Sequence, residues 1–209
     1  MIVVAACFRQ ETKWIARRTG TRIVRTGMGT RAAADLDRLA LDPASISLLL
    51  STGFCGGLNA KLRVGDLVVA EQIHHHGTTI AVDQDLAARA VGALRDEGLA
   101  PRAGAVECSD DVADGAAKRA LATGGALSVD LESGPLAAWA SARGVPFLSC
   151  RVVLDNLSEA LPFTSEAPLW ILVLRHPRAA VKAARAASLA GRRLGAAVTC
   201  LIDSLEAER

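Results

Sequence analysis

The chain has 209 residues, of which 51% are hydrophobic and 22% charged, a composition that supports a large core and excludes a disordered chain. A formal net charge of +2 makes no electrostatic case for nucleic acid, and 3% aromatic residues with no tyrosine leave no stacking platform for single strands. Cys7, Cys55, Cys108, Cys150 and Cys200 form no CxxC pair, and all but Cys55 lie in apolar runs, which points to free thiols in a reducing compartment.

The first apolar run, residues 2–7 of "MIVVAACF", has no basic residue ahead of it and "RQETK" directly behind it, so it reads as a buried strand rather than a signal peptide. Further short apolar runs at 22–25, 46–50, 66–70, 103–108, 126–130 and 145–153 are mostly unbroken, the pattern of strands covered on both faces. Helical patterns fall between them at 31–41, 85–97, 114–122 and 134–143. This alternation predicts an α/β fold, a three-layer α/β/α sandwich around a central mixed, mostly parallel sheet. Pro162 and Pro168 bracket a loop, and a helical pattern then runs from about residue 177 to the end. Without a repeat, a low-complexity tract or a linker, residues 1–209 read as one domain. No apolar run approaches the roughly 18 residues of a membrane span, so a cytoplasmic protein is expected.

Four stretches carry candidate chemistry. In "RTGMGTRAAADL", Gly27 and Gly29 form a turn between a strand and a helix, where backbone N–H groups face an anion, with Arg9 and Arg25 as further phosphate partners. An ordinary tight turn explains the same residues equally well, and the GxGxxG spacing of a dinucleotide site is missing. In "LLLSTGFCGGLNAKLRVGDLVVAEQI", a strand is expected to end at Leu50, and Gly53, Gly56 and Gly57 then let the backbone approach a ligand. In "EQIHHHGTT", an extended segment places His74 and His76 on one face and His75 on the other; no further ligands complete a metal site, so polar edge residues are expected and no metal. Finally, "ALSVDLESGPLAAWASARGVPFLSCRVVLD" reads as strand, helix, strand, with Asp130 and Glu132 after the first strand and Asp155 ending the second.

In order and spacing, "AACFRQE", "TGMGT", "STGFCGGLNAKLRVGDLVVA", "CSDD" and "VDLESGPLAAWASARGVPFLSCRVVLD" resemble the purine nucleoside phosphorylase / methylthioadenosine–adenosylhomocysteine nucleosidase family, over roughly residues 2–155. The compact size and the "RVVLD" ending look most like its hopanoid-associated branch, which removes adenine from adenosylhopane. The resemblance implies that Asp155 protonates the leaving purine, that Glu132 accepts hydrogen bonds from ribose hydroxyls, and that Glu11 handles the attacking water. Leu131, Phe54, Cys55 and Gly56 would line the nucleoside, with Ser109 and Asp111 near the base. It implies no cofactor, with phosphate as a candidate co-substrate, a small-molecule purine nucleoside as partner, and a homo-oligomer.

The sequence departs from the family pattern at several points. Leu154 stands where a serine usually precedes the acid, and Leu131 where methionine is common. Val112 and Ala113 replace an aromatic that stacks on the base, a role that leaves Phe54 or Phe163 as candidates. Ser51 and Phe54 stand where phosphorylases carry phosphate-binding arginine and serine, which favours water as nucleophile. The alternatives are cleavage of soluble nucleosides such as methylthioadenosine or adenosylhomocysteine, and a non-catalytic nucleoside-binding protein; Leu154 supports the latter, and the retained acids argue against it. Near the C-terminus Arg175, Arg178, Lys182, Arg185 and Arg192 recur on one helical face, joined by Arg193 and preceded by apolar "PLWILVL". A solvated basic face accounts for this; the functional counterpart is peripheral contact with an anionic inner-membrane surface.

Overall fold

Side chains alternate along apolar strands, and here both sets are buried, so two cores form on opposite faces of one sheet. The computed structural model describes residues 1–157 and 177–207. In chain order the elements are β1 (Ile2–Ala6), α1 (Arg9–Thr12), β2 (Thr21–Arg25), α2 (Arg31–Arg38), β3 (Leu48–Gly57), β4 (Leu67–His75), β5 (Thr78–Ala81), α3 (Gln84–Asp96), β6 (Arg102–Cys108), α4 (Gly115–Ala122), β7 (Ser128–Asp130), α5 (Ser133–Ser141), β8 (Phe147–Asp155) and α6 (Pro177–Ala207). Ile2, Val4, Leu48 and Leu50 face a core covered by α3 and α6, while Val3, Ala5 and Leu49 face one covered by α2 and α5. Each of the valine, leucine and isoleucine side chains among these contributes about 1.5–3 kcal/mol on burial.

The strands lie in the order β2-β1-β3-β7-β6-β4-β5, and β8 pairs with both β3 and β4. The ladders β3–β7–β6–β4–β8 therefore return to β3 and close a circuit. Pairings of β1 with β2 and β3, of β3 with β8, and of β6 with β4 and β7 are parallel; β3–β7, β4–β5 and β4–β8 are antiparallel. The sheet is mixed and mostly parallel, with helices around it, as the alternating pattern predicts.

Two local expectations are corrected. The third strand does not stop at Leu50. It continues through the glycines to Gly57, because β8 pairs with it residue by residue from Leu49↔Phe147 to Cys55↔Val153 and, after one irregular step, at Gly56↔Asp155. The histidine stretch is not simply extended. His76 and Gly77 take φ values of 48° and 70° and turn β4 back into β5, the positive-φ pair of a tight hairpin. His74 lies 3.5 Å from Glu107 and His76 3.5 Å from Asp110, so these rings have separate carboxylate neighbours, and no metal-binding group forms among the described residues.

The long helix α6 is notched where it crosses the segment after α1. A Cβ on Gly195 would stand 2.6 Å from the Trp14 carbonyl oxygen, and one on Gly191 3.0 Å from that of Gln10. Small residues in α6 thus set the depth at which α1 lies. Gly92 in α3 has open space where its Cβ would be. Helix propensity favours alanine over glycine by about 0.8–1.0 kcal/mol at either site. At Gly195 the obstacle is backbone, which must move at a typical cost of about 1–3 kcal/mol. Gly92→Ala is therefore expected to raise the urea midpoint and Gly195→Ala to lower it; a stabilising Gly195→Ala would refute the notch.

Candidate active site

An arginine within an apolar strand needs an anion, because an unpaired buried charge costs several kcal/mol. Arg151 sits in β8 with 2% of its side chain exposed. Its Nε lies 2.6 Å from Asp130 Oδ2, a close ion pair rather than an aligned hydrogen bond. Its Nη2 donates to Ser51 Oγ at 2.7 Å, and its Nη1 lies 3.7 Å from Glu132 Oε2. Asp130 is in turn fixed by Ser133, whose backbone N–H and hydroxyl both donate to Oδ1.

Glu11 and Glu132 meet at this arginine from distant parts of the chain. A Cβ on Gly53 would stand 2.7 Å from Glu11 Oε1 and 2.8 Å from Arg151 Nη1, so β3 carries glycine where those side chains cross it. Glu11 is 2% exposed and accepts N–H bonds from Cys7 (2.9 Å), Phe8 (2.7 Å) and Phe54 (2.7 Å). Three donors occupy most of the about four lone-pair sites of a carboxylate. Burial raises the Glu11 pKa, while the backbone donors and Arg151 pull against it. Glu132 stands at the N-terminus of α5 and accepts from Gly29 N–H at 3.3 Å. Burial, reinforced by Asp130 and Glu11, pushes it up to about 7 despite Arg151.

Asp155 ends β8 opposite Gly56 of the same strand β3. Its Oδ2 lies 2.6 Å from Nζ of Lys118, which α4 delivers with 2% of the side chain exposed. The Asp155 side chain itself is 14% exposed. Gly56 gives the passage, since a Cβ there would stand 2.5 Å from Lys118 Cε and 3.3 Å from Asp155 Oδ1.

The remaining expected residues divide. Leu131 and Ser109 are half-buried near Asp130; Ser109 N–H donates to the Asp130 carbonyl, and its hydroxyl accepts from Asp111 N–H. Asp111 itself is exposed. The side chains of Phe54 and Cys55 pack toward the two cores, and burial pushes the Cys55 thiol up to about 12. Arg9 and Arg25 are exposed. Gly27 N–H donates to Asp35 at 2.8 Å and Gly29 N–H to Glu132, so both N–H groups expected to face an anion bond carboxylates of this chain. Phe163 lies outside the described residues. Sequence reasoning missed Arg151, Lys118 and the part played by Asp130. A basic residue inside "FLSCRVVLD" was the available signal for Arg151; nothing in "GAAKRALA" distinguishes Lys118 from Arg119.

The Glu132 environment makes stability depend on pH. Its folded pKa of about 7 exceeds the ordinary 4.5, so between those values the folded state holds a proton the unfolded chain has released. The resulting stabilisation is fully present below pH about 4.5 and is lost as pH rises through about 7. Denaturant titrations at pH 5 and pH 8 should show Glu132→Gln removing on the order of 2 kcal/mol of the parent's loss, with Glu11 leaving a residual slope of the same sign. An unchanged pH dependence in the variant contradicts this environment.

Comparison with known proteins agrees with this architecture. A 5'-methylthioadenosine/S-adenosylhomocysteine nucleosidase of Glaesserella parasuis is 34% identical over 73 residues, 35% of this chain and 31% of that protein. One of Colwellia psychrerythraea is 37% identical over 54 residues, 26% of this chain and 22% of that protein. The matched segments thus span less than a third of either relative's length. The S-adenosylhomocysteine nucleosidase of Streptococcus pyogenes, solved with 5-methylthiotubericidin, superposes with a TM-score of 0.76 at 17% identity over 98% of this chain and 96% of its own. The futalosine hydrolase of Helicobacter pylori does so with a TM-score of 0.76 at 16% identity over 97% of each chain. These likenesses establish the fold. A family profile described as the Phosphorylase superfamily matches residues 15–190, and the chain therefore belongs to the phosphorylase superfamily.

Proposed function

We propose that the chain cleaves the N-ribosyl bond of an adenine nucleoside, with water as nucleophile and without a cofactor. The observation that carries this reading is the division of carboxyl groups along β3. Glu11 and Arg151 meet at Gly53, with Glu132 beside the same guanidinium, and Asp155 lies at Gly56, three residues or about 10 Å further along the strand. One nucleoside laid along β3 would meet sugar-binding groups at one end and a proton donor at the other. As the bond breaks, its electron pair passes to the base and a base nitrogen takes the Asp155 proton. Water oxygen bonds the sugar carbon, its proton passes to Glu11, and Glu132 accepts hydrogen bonds from the ribose hydroxyls. Water is favoured over phosphate because the Gly27 and Gly29 N–H groups already bond carboxylates. The nucleosidase names of the relatives support the same class.

Within that class we infer adenosylhopane as the substrate, and methylthioadenosine or adenosylhomocysteine as the alternatives. The resemblance to the hopanoid-associated branch supports the first, together with the outer face of α6. There Lys182, Arg185, Arg192 and Arg193 are exposed, as are Val181 (53%) and Leu189 (51%), a mixture suited to an anionic lipid surface. No helix among the described residues is long and apolar enough to cross a membrane. Arg175 and the apolar residues 168–174 lie outside the described residues. A homo-oligomer belongs to this reading: exposed Phe8, Met28 and Val112 come from the segments carrying Glu11, Gly29 and Ser109, where a second copy would complete the base site.

Adenine release should proceed without phosphate, and Asp155→Asn should lower kcat by about 10²–10⁴-fold. A phosphate requirement overturns the hydrolytic reading, and parent-like activity of Asp155→Asn overturns the assignment of the acid. Adenine binding without turnover would favour the binding protein. In a second experiment, Lys182→Glu/Arg185→Glu should lose sedimentation with anionic liposomes while cleaving methylthioadenosine normally; equal sedimentation of variant and parent sinks the membrane contact.

A further inference from the structure

Lysine is rarely fully buried, and an ammonium group leaves water at a cost unless an anion receives it. Lys118 has both features of an arranged pair. Its Nζ lies 2.6 Å from Asp155 Oδ2 and 3.4 Å from the Asp155 carbonyl oxygen, so it grips the side chain and main chain of one residue. The passage is made for it: a Cβ on Gly56 would stand 2.5 Å from Lys118 Cε and 2.7 Å from Nζ. The irregular step between Cys55 and Gly56 brings this glycine opposite Asp155. Leu154, the preceding residue, packs against the first core and gives Asp155 no side-chain donor.

We propose that Lys118 is the positioning residue of Asp155 in the cleavage reaction. This rests on the function proposed above. Lys118 fixes the direction of the carboxyl group from the α4 side and leaves its partly exposed side toward the base. Solvent protonates Asp155 from its partly exposed side; when that O–H proton passes to the leaving base, the carboxylate that remains again stands beside the Lys118 ammonium. The product of proton transfer is thereby stabilised inside the protein, where water is scarce. Lys118 gives up no proton in the step; solvent reprotonates Asp155 after the base departs. The role commonly met by a neighbouring hydroxyl is thus filled here from a different element, which accounts for an apolar residue at Leu154.

The test is steady-state adenine release by the full chain from methylthioadenosine, or from adenosine where the parent prefers it. Lys118→Met is expected to lower kcat by about 10–100-fold while KM stays within about threefold, since the residue acts on the acid and not on the substrate. Lys118→Ala should regain part of its kcat with ethylammonium chloride and none with equal sodium chloride. Gly56→Ala keeps the lysine but takes its space, so it should also lose kcat, which covers the case in which truncating Lys118 prevents folding. Parent-like kcat in Lys118→Met overturns the role. So does a Lys118→Ala loss that ethylammonium leaves untouched while Gly56→Ala retains the parent kcat. A parent that releases no adenine from either nucleoside overturns the functional reading, and this role with it.

Discussion

The interaction on which the rest of the site depends is the burial of Arg151 among three acids. A guanidinium with 2% exposure is tolerated only because Asp130 lies 2.6 Å away and Ser51 takes a second N–H. Once there, it makes room for two further acids that would otherwise repel each other out of the interior. Glu11 and Glu132 are both raised by burial and both held back by the same cation. Burial first, and then the neighbouring charges of Asp130 and Glu11 that one cation does not fully offset, bring protonation of Glu132 near neutral pH rather than into the ordinary carboxylate range.

The fold supplies this cluster from three separate parts of the chain. Glu11 comes from the turn of helix after β1, and backbone donors on both sides of it fix its carboxylate. Glu132 and Asp130 come from the end of β7 and the start of α5, and Arg151 from the middle of β8. Gly53 on β3 leaves a gap for Glu11 and Arg151, and Gly56 one for Lys118 and Asp155. The small residues of α6 hold α1 at its depth, so a helix distant in sequence governs where Glu11 stands.

Much of this was legible in advance and part was not, for physical reasons. Unbroken apolar runs such as residues 2–7 announce strands buried on both faces, and the alternation with helical patterns gives the layered sheet. The acids ending strands stand out because apolar strands leave few other polar positions. The glycine-rich stretch 53–57 misleads, since glycine marks both loops and strands crossed closely by side chains; only the β8 ladder decides. The turn in "HHHGTT" was hidden because positive φ at His76 is uncommon for a residue other than glycine. Lys118 was invisible because one basic residue on a short helix looks like any solvated one until the opposite strand is in place.

The closed circuit of ladders has a consequence for how the protein opens. β8 is hydrogen-bonded to β3 on one side and β4 on the other, and it carries both Arg151 and Asp155. A strand enclosed in this way has no free edge from which to fray, so it opens only when the sheet around it opens. The two ends of the candidate site therefore belong to one cooperative unit. Arg151 and Asp155 cannot be loosened independently of one another, and variation is left to the segments outside the circuit, among them the helical turn that carries Glu11.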